Sequence, residues 1–491
     1  MRSSKSRQLA GPTKKKILIT LGMILIVLTS FFGGYFTQIA LRDEGEAVVG
    51  DMLHIMDQVG FVYDAEKDEY VKLDEDKIAQ LIAGNFLDGY SAYYTEEEYQ
   101  AIEKQKAGSY SGFGFNMLNT DATSQETGTN VLNSVVLNSP AFNVGFRAGD
   151  KITKAQVVDG ETYAITNGKQ LSDFFDVTVK GQEVEFTVER GGEVLSEPLV
   201  CAKNDYVRSY VTYQDDENYA YFSPQVGERM VDVGDAYQSI VVKDGAEYAK
   251  PEFNVDTDGD GSGDIAYICI TSFNGDVVEQ FGAALEYMQA RGRERLILDL
   301  CDNGGGSMSL FKEVSSYLMN KENCVIAKAT EKLDGNDENG YFSDEYRTTN
   351  YVSGPNNFNE NVIQIAVLAN RNTASASECL INAMNSASDS LGTTGIYSKD
   401  NLVIVGSPNN YKKDDIPDDQ IQYRTFGKGI MQTTYKLTSG GALKLTTAKL
   451  LTPNGKDCIH NKGIIANASN GVDSYAQAIA RAIQILTPNQ D

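Results

Sequence analysis

Histidine is nearly missing from this chain, which carries only His54 and His460 in 491 residues. A serine nucleophile here has little prospect of an imidazole base, and lysine is the substitute that such chemistry admits. Closely spaced cysteines are missing too. Cys201, Cys269, Cys301, Cys324, Cys379 and Cys458 stand apart, with no Cys-x-x-Cys spacing. That pattern argues against both a zinc site and a disulfide framework, so the six read as small core residues. Positive charge is in deficit, with a formal net charge of -25. Binding phosphates takes clustered lysine and arginine, so nucleic acid is not an expected partner. What remains is a hydrophobic content of 41%, ordinary for a globular protein, on a chain long enough for two or three domains.

The N-terminus sets the compartment. Arg2, Lys5, Arg7 and Lys14-Lys15-Lys16 precede an uncharged apolar run from Ile17 to about Phe36. These features predict a cytoplasmic basic tail over 1–16 and a single-pass transmembrane anchor over 17–37, with the chain beyond about Leu41 exported. The competing reading is a cleaved signal peptide, but the run is longer than a typical signal region and no small-x-small site follows it. The segment 44–107 then reads as helical. Met52, Ile55, Met56 and Val59 recur at helix spacing, as do Ile78, Ile82 and Phe86, and Thr95-Glu96-Glu97-Glu98 looks like a helix start.

Residues 108–204 change character. Val184-Glu185-Phe186-Thr187-Val188 alternates in the manner of a strand, and Gly191-Gly192 marks a tight turn. This segment resembles a PDZ domain, on Gly112-Phe113-Gly114-Phe115 and on Ser139-Pro140-Ala141 with Gly145 to Ile152. The resemblance implies that backbone N–H groups of the 112–115 loop capture a chain-terminal carboxylate while the peptide adds to a sheet edge. A β-rich spacer is the alternative.

Asp256, Asp258, Asp260 and Asp264 have the alternating spacing of a calcium loop, but Tyr267 stands where a bidentate Glu is usual. A solvated hairpin is the expectation, and neither a metal nor an organic cofactor is expected.

After Asp264 the pattern is β-α-β, with a strand over Ala266 to Thr271, a helix over Asp276 to Ala290 and a buried strand over Arg295 to Leu300. Such sheets carry their functional loops at the carboxyl ends of strands, which is where Asp302-Asn303-Gly304-Gly305-Gly306 falls. The strand Val362 to Ala369 leads into Thr373-Ala374-Ser375-Ala376-Ser377-Glu378. Ser375-x-x-Glu378 satisfies a capping box with no chemistry attached, but a serine at a strand-to-helix junction is also well presented as a nucleophile. Lys428 lies between Gly427 and Gly429 in an otherwise apolar run. Burial there lowers a lysine's proton affinity, and Gln432 is placed to orient the amine. Alone, Lys428 could equally be a surface lysine in a glycine turn.

Together these stretches resemble the C-terminal processing peptidase (tail-specific protease) family from about residue 75 to the end. The resemblance rests on Leu87-Asp88-Gly89-Tyr90-Ser91-Ala92-Tyr93, Ile270-Thr271-Ser272-Phe273, Leu298-Asp299-Leu300 with Gly305-Gly306, Thr373 to Glu378, Thr425 to Gln432 and Gly441 to Ala448. It implies a mixed α/β peptidase domain over 205–491 and a Ser–Lys dyad. Ser375 is then the nucleophile, Lys428 the base and Gln432 its orienter, with the backbone N–H groups of Gly305 and Ala376 as the oxyanion hole. The family pattern, not the spacing, selects Ser375 over Ser377.

Two departures stand out. Cys301 and Gly304 replace the family's Arg and Pro. Ser375 and Lys428 are also about twice as far apart in sequence as is usual, through an insertion at about 390–424 that is either looped out or a lid or partner surface. The implied protein is a membrane-anchored extracytoplasmic serine endopeptidase acting on proteins or peptides with free C-termini, its homo-oligomerisation left open. The alternative is a catalytically inactive, membrane-anchored peptide-binding scaffold.

Overall fold

Alternation and helical spacing become two sheets, a separate β-rich segment and the helices packed on them. The computed structural model describes residues 62–64, 69–71 and 74–487, apart from 118–128, 148, 159, 224–228, 233–240, 244–245, 249–254, 257–258, 260–262, 320–322, 333–345, 356–361, 363, 392–398, 407–422, 456–458 and 467–471. The expected anchor at 17–37 lies outside the described residues. Among the described residues no helix is long and apolar enough to cross a membrane.

The chain divides into two compact units, 1–82 and 83–491. In the first, Val62–Asp64 and Glu69–Val71 pair as an antiparallel hairpin. The expectation of an all-helical 44–107 is therefore corrected. Helices form at Glu75–Phe86 and Glu96–Lys106, but Ala92–Tyr94 is a strand paired with Ala442–Lys444. Tyr93 and Tyr94 suit a pleated surface, and the partner strand that recruits them is far away in sequence. The predicted start at Thr95 is real: Thr95 and Glu98 complete a capping box.

A β-rich segment has a core of its own. Glu183–Arg190 is central to its five-stranded sheet, pairing with Lys151–Val157, Glu193–Val194 and Leu199–Ala202. Its alternation buries Val184, Phe186 and Val188 against Leu171 and Phe174 of the helix Gly168–Val177. Ser109–Gly112 pairs antiparallel with Asn204–Val207, so one two-stranded ribbon closes the segment at both ends.

The larger sheet has seven strands. Four run parallel: Ile265–Ile270, Arg295–Asp299, Gln364–Asn370 and Leu402–Val405. Val211–Gln214, Tyr219–Ser223 and Arg229–Asp232 extend it antiparallel beyond Ile265–Ile270. Both faces are covered, as a parallel sheet requires. On one side lie the helices Val277–Ala290, Met308–Ser316 and Ala376–Leu391, and Val277, Phe281, Leu285 and Met288 are buried as the spacing predicts. Tyr475–Leu486 covers the other side, where Tyr267 and Tyr475 both donate to the buried Asp299 carboxylate.

A second, antiparallel sheet joins Tyr346–Val352, Val325–Lys332, Ala442–Leu451 and Ile430–Lys436. The inserted stretch 390–424 is not wholly looped out, because its Leu402–Val405 pairs with Val367–Asn370 and closes one edge of the seven-stranded sheet. The apolar Leu402-Val403-Ile404 is buried there. Cys201, Cys301 and Cys379 are buried, and burial pushes the Cys201 thiol up to about 12.

Candidate active site

Loops at the carboxyl ends of three parallel strands meet at Ser375. Thr373, just after Gln364–Asn370, donates through Oγ1 to the Leu300 carbonyl at 2.7 Å. Ala374 N–H donates to the Asn303 carbonyl at 3.0 Å. Ser375 then adopts φ +59°, and the helix begins at Ala376. A left-handed conformation costs a residue other than glycine about 1–3 kcal/mol and persists only where its surroundings enforce it. Ser375 is 9% exposed at this sharp turn. Ser377, by contrast, is fully buried and spends its hydroxyl on the Asn303 carbonyl at 3.0 Å. The backbone and the hydrogen bonds thus separate two serines that spacing alone leaves equivalent.

The glycine loop is pinned, although Cys301 and Gly304 replace the family's Arg and Pro. Asn303 is fully buried, donates to the Ile270 carbonyl at 2.8 Å and accepts from Gly305 N–H at 2.9 Å. Asp302 accepts from the side chains of Asn370 and Asn372 at 2.8 and 2.9 Å. A Cβ on Gly305 would lie 2.8 Å from Ser375 Cβ and 3.0 Å from Ala376 N, so only glycine lets this loop approach the serine so closely. The two expected oxyanion donors, Gly305 and Ala376, are therefore neighbours. The Gly305 N–H differs from expectation in already having an acceptor, Asn303 Oδ1, through an Asx turn.

Lys428 is half-buried in the segment between Thr425 and Ile430. Its Nζ sits 5.4 Å from the centre of the Tyr90 ring. Burial holds its proton affinity below that of an ordinary lysine and the charge of Lys444 adds to this, while Asp88 and Glu378 oppose it. Gly429 has no room for a side chain, since a Cβ there would meet His460 N at 2.3 Å.

Gln432 does not act as expected on the amine. Its Nε2 donates to Thr446 Oγ1 at 3.1 Å, and Thr446 N–H donates to Ser91 Oγ at 3.0 Å. Asp88 accepts from the N–H groups of Tyr90 and Ser91 at 3.0 and 2.8 Å. Gln432 thus ties two strands of the second sheet together, and the Thr446 main chain fastens that sheet to the segment carrying Tyr90. Among the described residues no hydrogen bond joins Ser375 Oγ to Lys428 Nζ.

The residue that sequence reasoning undervalued is Glu378. Fully buried, it accepts from Ser375 N–H at 2.9 Å, completing one half of the expected capping arrangement. It also accepts from Thr425 Oγ1 at 2.5 Å, Gly427 N–H at 2.7 Å and Lys428 N–H at 2.9 Å. Burial pushes its carboxyl above the ordinary value, against the four donors. The only sequence signal was its place three residues after Ser375, which suggested a local cap and gave no hint of the Thr425–Lys428 loop.

The other expected sites lie apart. Gly112 ends a strand, Phe113 is buried and Gly114 has φ +92°. Phe115 opens a strand paired with Leu132–Val135. The Phe113 and Gly114 carbonyls accept from Ala141 and Val136 N–H at 2.8 and 2.6 Å. The Phe113 and Phe115 rings both pack 5.3 Å from that of Phe175 in the helix Gly168–Val177. Of the acidic loop, Asp256 is exposed and accepts from Gly259 N–H at 2.6 Å, and Asp264 is buried. Asp258 and Asp260 lie outside the described residues. Among the described residues no three His, Cys, Asp or Glu side chains are grouped to hold a metal.

Residues 264–399 and 420–469 match Peptidase family S41. A probable CtpA-like serine protease of Staphylococcus epidermidis is 24% identical over 466 residues, covering 94% of this chain and 74% of that protein. One from Staphylococcus aureus is 26% identical over 414 residues, covering 83% and 63%. Among solved structures, a photosystem II D1 C-terminal processing protease is 19% identical with a TM-score of 0.42, covering 91% of this chain and 98% of that one. A putative S41 protease from Bacteroides fragilis is 14% identical with a TM-score of 0.48, covering 89% and 92%. The gap in the family match falls in the inserted stretch, and both Ser375 and Lys428 lie within the matched residues. Over those residues the chain is similar to peptidase family S41, and over most of its length it is similar to CtpA-like serine proteases.

Proposed function

We propose that this chain is a membrane-anchored, extracytoplasmic endopeptidase in which Ser375 attacks a peptide carbonyl and Lys428 is the general base. The observation that supports this most is the Ser375 turn: left-handed, beside Gly305, and opening a helix whose first N–H belongs to Ala376. Neutral Lys428 takes the Ser375 proton and the serine oxygen bonds to the carbonyl carbon. The resulting oxyanion draws on the N–H groups of Ala376 and Gly305. For Gly305 this exchanges the neutral Asn303 acceptor for a full negative charge, a stronger one. The proton passes to the departing amine, and water then hydrolyses the acyl-enzyme. Gln432 steadies the wall around Lys428 through Thr446.

The apolar run at 17–37 and its basic flank support an anchor that keeps this chemistry outside the cytoplasm. The 112–115 loop and the neighbouring aromatic rings form the PDZ-like reader of substrate C-termini. Converting a substrate's terminal carboxylate to an amide should lower kcat/KM, and equal values for acid and amide would remove the reader from this account. Cleavage of an unstructured protein with an apolar tail should vanish in Ser375→Ala and Lys428→Ala. Equal cleavage by wild type and both variants would refute the dyad.

A further inference from the structure

We infer that Glu378 is the positioning residue that seats the base loop on the nucleophile turn. This rests on the Ser375–Lys428 reading above. The argument is geometric. The carboxylate has two oxygens, and each binds the base segment: Oε1 accepts from Thr425 Oγ1 and Gly427 N–H, and Oε2 accepts from Ser375 N–H and Lys428 N–H. A single oxygen therefore bridges the main chains of the two reacting residues, with both contacts at 2.9 Å.

Four donors converge on the group, so a carboxylate is the form that fits. Neither side chain of the dyad is used in the bridge, which leaves the Ser375 hydroxyl and the Lys428 amine free for chemistry. Two further main-chain bonds frame the same junction. Phe426 N–H donates to the Thr373 carbonyl and Thr425 N–H to the Ile464 carbonyl, each at 3.0 Å. The long insertion between the two residues is thus no obstacle. Register is imposed at the junction itself, and the intervening chain need only return to it.

Full-length wild type, Glu378→Gln and Glu378→Asp are compared for peptide cleavage across pH, with circular dichroism as the folding check. Glu378→Gln keeps the volume but sets an amide N–H₂ against N–H donors. Its kcat should fall roughly 10²-fold with KM little changed, the scale of an ångström-sized misplacement.

The pH profile reads a second property. The groups bearing on Lys428 are Lys444, Asp88 and Glu378, with Tyr90 against its amine. Glu378's negative charge favours the protonated amine, so losing it in Glu378→Gln should move the acid limb to lower pH. Glu378→Asp keeps the charge but shortens the reach, so it should lose kcat with the limb in place. A folded Glu378→Gln with wild-type kcat and an unmoved limb would overturn the inference. Failure of the dyad reading would look different, as activity retained in Ser375→Ala.

Discussion

The turn that ends in Ser375 is held by its sequence neighbours and by one other loop, 300–305, whereas Lys428 is walled by several segments from distant parts of the chain. Around Ser375, Thr373 fixes the approach, φ +59° makes the turn and Glu378 caps the helix start. Around Lys428, Tyr90 comes from far upstream, Thr446 and Lys444 from the neighbouring strand, and His460 from a loop beyond it. The nucleophile is set by a strained turn held against a single loop, and the base by packing from several segments. Substitutions in the walls should therefore damage the base side while sparing the serine turn.

The largest such effect is expected at Gly429. Its replacement by alanine drives a Cβ into His460 N at 2.3 Å, backbone that cannot swing aside as a side chain can. Overpacking of this kind costs about 1–3 kcal/mol. The melting temperature should fall and cleavage be largely lost. A Gly429→Ala enzyme with normal melting and normal kcat would show that the His460 loop does not confine the base.

A smaller effect is expected at Lys444, whose Nζ lies 5.5 Å from the Tyr94 ring centre and whose charge disfavours a second ammonium at Lys428. The base works only when neutral, above its folded pKa. Lys444→Gln removes a like charge, raises that pKa and should move the acid limb of kcat/KM to higher pH, leaving the plateau above it nearly intact. An unmoved limb would mean that the Lys444 charge does not tune Lys428.

The smallest effect belongs to Ser377, which probes the local arm. Ser377→Ala deletes one buried hydrogen bond, worth about 1 kcal/mol. Melting should shift slightly while turnover survives, the reverse of Ser375→Ala.

This contrast also explains what the sequence revealed. The helix Val277–Ala290, the buried strands after Asp264 and the helix start at Thr95 were legible because their signals are periodic or confined to four residues. The strand Ala92–Tyr94 was not, since its partner Ala442–Lys444 lies at the other end of the chain. Nor was Leu402–Val405 as a sheet edge, because it falls inside a stretch whose polar runs suggest a loop. At the site, Ser375, Lys428 and the glycine loop were readable as motifs. The roles of Asn303, Glu378 and Thr446 were not, since each is defined by hydrogen bonds that close only in the folded chain. Gln432 shows the hazard in the other direction: the motif suggested a partner for the amine, and the fold gave it Thr446.

The most direct measurement is the site of covalent capture by a serine-reactive fluorophosphonate, mapped by fragmentation mass spectrometry in wild type and Lys428→Ala. Phosphonylation should fall on Ser375 in wild type and be absent or greatly slowed in Lys428→Ala. An adduct on Ser377, or equal labelling of Ser375 without Lys428, would contradict the account.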